Sequence, residues 1–175
     1  MITQPVSIRE PEIRALVAGT MSVLIRPVGR LAAIQPGDRL WVREPFHLAE
    51  RFAGHAPTFA ARLGAEPIFV ADRAPAQLSY RSAELGDRRN AREMPKVWHR
   101  QHLWVRSIER VQLHDVGFAD IHAAGWMNPT DYRVRWDEDA RFFGARVDKS
   151  NFWAANPPVL RIEFDRIPTP LPEKE

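Results

Sequence analysis

Pro36-Gly37-Asp38-Arg39-Leu40-Trp41-Val42-Arg43-Glu44 is the stretch that decides how the rest of the chain is read. Gly37-Asp38 is a turn signal, and the residues after it are aromatic and β-branched, the types that fit a pleated, half-buried surface. A strand over Arg39 to Glu44 follows. Pro45 ends it, because proline has no N–H to give to a ladder. Successive side chains of a strand point to opposite faces, so only one of Arg43 and Glu44 can enter the mouth of a barrel. Read alone, the two form a surface ion pair.

Upstream, a short helix starts near Pro11, since proline suits the first helical turn, and Gly19 ends it. Ile13, Leu16 and Val17 share one face of that helix, which therefore covers an apolar surface. Downstream, residues 46–66 are Ala-rich but hold Gly54 and Pro57 and read as an irregular insertion; Ile68-Phe69-Val70 reads as a short strand. Residues 71–95 are mostly polar, with Pro75 and Gly86, and read as a mobile loop. Residues 100–113 form the longest strand-like stretch. There Leu103 and Val105 alternate with polar neighbours before the pattern slips to Ile108, Val111 and Leu113, and a bulge explains such a slip.

Asp115 is placed to cap a short helix that closes at Gly125, and Asn128-Pro129 opens another. Tyr132, Trp136, Ala140 and Phe143 form one apolar stripe on the latter, as core packing requires. Val159 to Phe164 alternates as a final strand, and the Pro-rich residues 168–175 read as a frayed tail. Strands scattered among short helices, without a βαβ rhythm, predict an α+β fold: a small β-barrel with flanking short helices, one domain over residues 1–175 with its core in 8–167.

The composition excludes several function classes. With no cysteine among 175 residues, disulfides, thiolate zinc sites, iron–sulfur clusters and cysteine nucleophiles are all ruled out. No glycine-rich phosphate loop, HExxH or GxSxG is present, and the six histidines are scattered, so neither a metal nor a cofactor is expected. No apolar run is long enough for a signal peptide or membrane span, which predicts a cytoplasmic protein that avoids membranes.

Positive charge concentrates in the middle: residues 73–110 carry nine Lys and Arg against four Asp and Glu. That excess is either a footprint for phosphates or a solvated loop. Within it, Met94-Pro95-Lys96-Val97-Trp98-His99-Arg100 interleaves cations with an indole and an imidazole. Bases stack on aromatic faces while phosphates pair with Lys and Arg, so the run suits single-stranded nucleic acid; equally, Trp98 could anchor a loop to the core.

Pro36 to Glu44, with Gly19, Arg26-Pro27, Met94 to Trp98, Ala155-Asn156-Pro157 and Ile162-Glu163-Phe164, resembles the phage-type members of the ASCH domain family. The resemblance runs from about Ile8 to Ile167. It implies a PUA-like barrel, recognition of RNA or a nucleoside, and a prophage origin. Some ASCH proteins are amidohydrolases that deacetylate N4-acetylcytidine with a lysine, a threonine and a glutamate. Aligned on Gly19, those positions hold Met21, Leu24 and Ala124, none of which can act as base, nucleophile or acid. The reading is therefore a protein without that catalytic site, which binds RNA, single-stranded nucleic acid or a nucleotide-like molecule. Arg43, Lys96 and Arg100 would serve phosphates, Trp98 would stack a base, and Glu44 would accept hydrogen bonds from a base edge, with Ser22 and Arg26 contributing from the loop after the first helix. Two rival readings are an enzyme with a rebuilt site using Glu44 as general base, and a phage protein-interaction module exposing Trp126 or Phe152.

Overall fold

The structure, a computed structural model, describes residues 3–74, 85–143 and 149–168. The fold is mixed α and β. Strands β1 (Thr3–Ser7), β2 (Val23–Pro27), β3 (Arg39–Arg43), β7 (Gln101–Gln112) and β8 (Pro158–Pro168) form a five-stranded sheet in the order β1-β3-β7-β8-β2. Only the β1–β3 pairing is parallel; the other three are antiparallel. A three-stranded sheet follows the order β5-β4-β6, from β4 (Phe46–Ala49), β5 (Ile68–Phe69) and β6 (Leu85–Arg89). Among the described residues these are two open sheets, not the single closed barrel that the strand pattern suggests.

Helix α1 (Glu12–Ala18) lies between Pro11 and Gly19, as expected, and Gly19 takes the left-handed φ of 77° that closes it. Its Ile13 and Leu16 are fully buried with Leu40, Val42, Leu103, Val105 and Ile162, which form the core on one face of the larger sheet. Helices α3 (Phe118–Ala123) and α4 (Pro129–Phe143) pack with Val23, Ile25 and Val159 on the other side. There α4 buries Tyr132 and Trp136. Asn128 Oδ1 accepts a bond from the Thr130 N–H at 2.8 Å, the cap that Asn128-Pro129 announces. A third core joins Trp41 of the larger sheet to Phe46, Leu48, Phe69, Met94 and Trp98, so the smaller sheet is fastened over one end of β3.

The slip after Val105 is a bulge: the β7–β8 register shifts between Val105 and Ser107, leaving Arg106 exposed. Three expectations need correction. Residues 46–66 are not irregular, because they hold β4 and helix α2 (Pro57–Arg62), with Pro57 in its first turn. The segment 71–95 is not one loop, because Leu85–Arg89 pairs with β4; residues 75–84 lie outside the described ones. Finally, α3 is capped by Gly117 and not by Asp115, which sits in a preceding 3-10 turn. The expected tail also lies outside the described residues from 169 onward, while β8 continues to Pro168. Among the described residues no helix is long and apolar enough to cross a membrane.

Candidate nucleic-acid interface

Alternation along β3 sends Leu40 and Val42 into the core and Arg39, Trp41 and Arg43 to the other face. Antiparallel pairing sets Arg39 opposite Trp104 and Trp41 opposite His102 on β7. The parallel neighbour β1 adds Thr3, Pro5 and Ser7 beside Arg39, Trp41 and Arg43. Short 3-10 turns lead into β7, and the turn Lys96–Trp98 points Trp98 inward and leaves Lys96 and Val97 exposed.

These elements gather cations and rings. The Arg39 guanidinium lies 5.2 Å from the centre of the Trp104 ring, and that of Arg43 lies 4.6 Å from the Trp41 ring. His99 and His102 meet edge to face with centroids 4.7 Å apart, and His99 is 5.9 Å from Trp41. His99 Nδ1 faces the Lys96 carbonyl oxygen, an arrangement in which Nδ1–H donates and Nε2 is left to other partners. Burial, followed by the nearby His99, Arg39 and Lys96, lowers the His102 pKa below the ordinary histidine value. Burial and the neighbouring Arg30 likewise lower that of Arg43, whose Nε is buried without a hydrogen-bond partner.

Arg39, Arg43 and Lys96 have no carboxylate partner among the described residues, whereas Arg9, Arg14, Arg26, Arg100 and Arg161 each hold one. The acid closest in register is Asp165, opposite Trp104, and it is 3.3 Å from Arg106. Among the described residues, the face therefore carries positive charge without carboxylate partners, beside aromatic and imidazole rings.

The residues expected from sequence divide clearly. Arg43 and Lys96 belong to this face. Trp98 does not: it is 6% exposed and packs edge to face on Phe46 at 5.4 Å, so it offers no face to a base. Glu44 has no exposed surface and is gripped by Arg100, with Nε donating to Oε1 at 2.8 Å and Nη2 to Oε2 at 2.9 Å. Arg100 also donates to both Asp72 oxygens, at 2.7 and 2.8 Å, and lies 3.9 Å from the Phe69 ring centre. Burial raises the Glu44 pKa against the pull of Arg100; burial also opposes the Arg100 charge, but its bonds to Glu44 and Asp72 outweigh that and raise its pKa. Both residues are committed to each other, so neither a base edge, a phosphate nor a general-base role is open to them.

Arg26 is equally committed, donating to Glu12 Oε1 at 3.1 Å and Oε2 at 2.6 Å, and the Trp126 indole N–H reaches Glu12 Oε1 at 3.4 Å. Ser22 is exposed, but it precedes β2, and two strands separate β2 from β3. Met21, Leu24 and Ala124 are buried in the core. Trp126 is buried and Phe152 half-buried, so neither is the exposed aromatic that a docking module would need. No group of three metal-ligating side chains occurs among the described residues.

Arg39, Trp104 and His102 are additions to the residues expected from sequence, where His99 figures only as the imidazole of the run Met94 to Arg100. The signal for Arg39 lay in the alternation Arg39-Trp41-Arg43, which places all three on one face of the strand. No family model, curated protein or solved structure matches this chain.

Proposed function

We propose that this protein binds RNA, single-stranded nucleic acid or a nucleotide-like molecule on the β1-β3-β7 face of its larger sheet. One observation carries the reading: Arg39, Arg43 and Lys96, without carboxylate partners among the described residues, share a face with Trp104, His99 and His102. Phosphates would neutralise the cations and bases would lie on the rings, the combination that single-strand binding uses. Trp41, nearly buried, supports Arg43 and His99 from beneath and does not stack a base itself.

The same proposal takes the fold as a PUA-like, ASCH-type arrangement. It is supported by the run Pro36 to Glu44, which supplies β3, the strand at the centre of the candidate face. A cytoplasmic setting and a prophage origin belong to this proposal, as does a binding role without the amidohydrolase chemistry, since core side chains occupy the three aligned positions.

Fluorescence anisotropy with a labelled hexanucleotide tests the reading. Affinity should fall steeply as salt rises, and Arg39→Ala, Arg43→Ala and Lys96→Ala should each reduce the slope of log K against log salt by about 0.7 per lost phosphate contact. Absence of binding by the folded protein at low salt would overturn it.

A further inference from the structure

Arg39 and Arg43 stand on one face of β3 two side-chain repeats apart, which along a strand is about 13 Å. Their guanidinium groups are held separately. Arg39 lies over Trp104 on β7, while Arg43 lies over Trp41 on β3 itself. In the register between them sits His102, opposite Trp41, with the His99 ring against it at 4.7 Å. By backbone register the face thus runs from Arg39 through the Trp41–His102 level to Arg43, whose guanidinium lies over Trp41. On the neighbouring β1, Thr3 and Pro5 are exposed and small.

From this spacing, and resting on the nucleic-acid reading above, we infer that the ligand is a single-stranded oligonucleotide laid along β3 with at least two of its phosphates engaged. A mononucleotide brings one phosphate group, which can satisfy only one of two guanidinium groups fixed on different indoles. A duplex keeps its base faces inside the stack, so the rings between the two cations would meet nothing. An unstacked strand satisfies both conditions, because its phosphates reach successive cations while an intervening base turns onto the His99–His102 pair and a base beside Arg39 meets Trp104.

The test is a competition series with 5′-phosphorylated thymidine mono-, di-, tri- and hexanucleotides and a short DNA duplex, using labelled hexathymidylate and hexauridylate as probes. Affinity should rise about tenfold or more from the mononucleotide to the trinucleotide, since the second contact becomes intramolecular, and flatten beyond it. Arg39→Ala and Arg43→Ala should each weaken the hexanucleotide about tenfold and compound when combined, whereas the mononucleotide should lose affinity with only one of them. Arg39→Lys and Arg43→Lys, with melting temperatures recorded, separate lost charge from lost fold. A mononucleotide that competes as well as the hexanucleotide, or a duplex that competes equally, would overturn the inference and leave the nucleic-acid reading standing. No competition by any member at low salt would remove that reading itself.

Discussion

Arg100 holds Glu44 through two parallel hydrogen bonds of 2.8 and 2.9 Å at a point where the carboxylate has no solvent exposure. The pair joins the end of β3 to the start of β7. Two residues that carry ligand chemistry in the sequence thus clamp the ends of β3 and β7, and Asp72 ties the clamp to the segment after β5. Removing one partner of a buried ion pair leaves the other charge uncompensated. Arg100→Ala should therefore cost about 3 to 5 kcal/mol in urea denaturation. Oligonucleotide affinity of the protein that remains folded should be unchanged, and an unchanged denaturation midpoint would show that the clamp is not structural.

Trp98 and Trp104 should respond in opposite ways. Trp98 is nearly enclosed among Phe46, Phe69 and Met94, so Trp98→Ala opens a cavity and should destabilise the fold by about 3 to 5 kcal/mol. Trp104 is half-buried under Arg39 on the candidate face, so Trp104→Ala should reduce oligonucleotide affinity by about 1 to 3 kcal/mol and leave the salt slope unaltered, because no charge is removed. Thermal melts and salt titrations on the same two variants check both outcomes. If Trp98→Ala stays stable and loses binding, the assignment of the two indoles is reversed.

The elements legible in the sequence were those with a local signature. Proline and glycine bracket α1, Asn128-Pro129 opens α4, and the broken alternation after Val105 announces the bulge. Strand β6 has no such signature: Leu85-Gly86-Asp87-Arg88-Arg89 is mostly polar, and it pairs with β4 where Gly86 comes close to Ala53 and Glu50. The site was half legible for the same reason. Lys96 and Arg43 could be selected as cations, but the direction of Trp98 depends on Phe46 and that of Glu44 on Arg100, 56 residues away in the chain. Partners at that separation leave no periodicity to read.

Gly125 offers a check on the packing of α3 against α1. Its φ is +90°, and a Cβ built there would stand 2.8 Å from Ala15 Cβ and 3.3 Å from Glu12 Cα. Gly125→Ala combines a left-handed backbone penalty with this clash and should cost about 2 kcal/mol or more. Adding Ala15→Gly removes the nearest obstruction, so the double variant should recover part of the loss, reduced by the helix cost of the new glycine. A neutral Gly125→Ala would mean that the α1–α3 approach is looser than the structure shows.

The last prediction concerns pH. His102 resists protonation in the free protein because it is partly buried and because His99, Arg39 and Lys96 surround it. In the unfolded chain an ordinary histidine takes its proton near pH 6.5. As pH falls through that value the unfolded state binds a proton that the native state resists, so this residue reduces native stability, down to its own lowered pKa. A bound strand reverses the preference, because phosphate charge favours the imidazolium over the neutral ring. Binding then takes up a proton, and affinity should increase as pH falls from about 7.5 to 5.5, with the salt slope steepening by up to ~0.7 as His102 becomes charged against a phosphate. His102→Gln should flatten the pH dependence, with affinity at pH 7.5 lowered only by the stacking that the neutral imidazole supplies. Anisotropy titrations at the two pH values, alongside urea midpoints, separate the ligand effect from the stability effect because they run in opposite directions. An affinity that stays level across this range, or a dependence that survives His102→Gln, would place the phosphates away from the histidine pair.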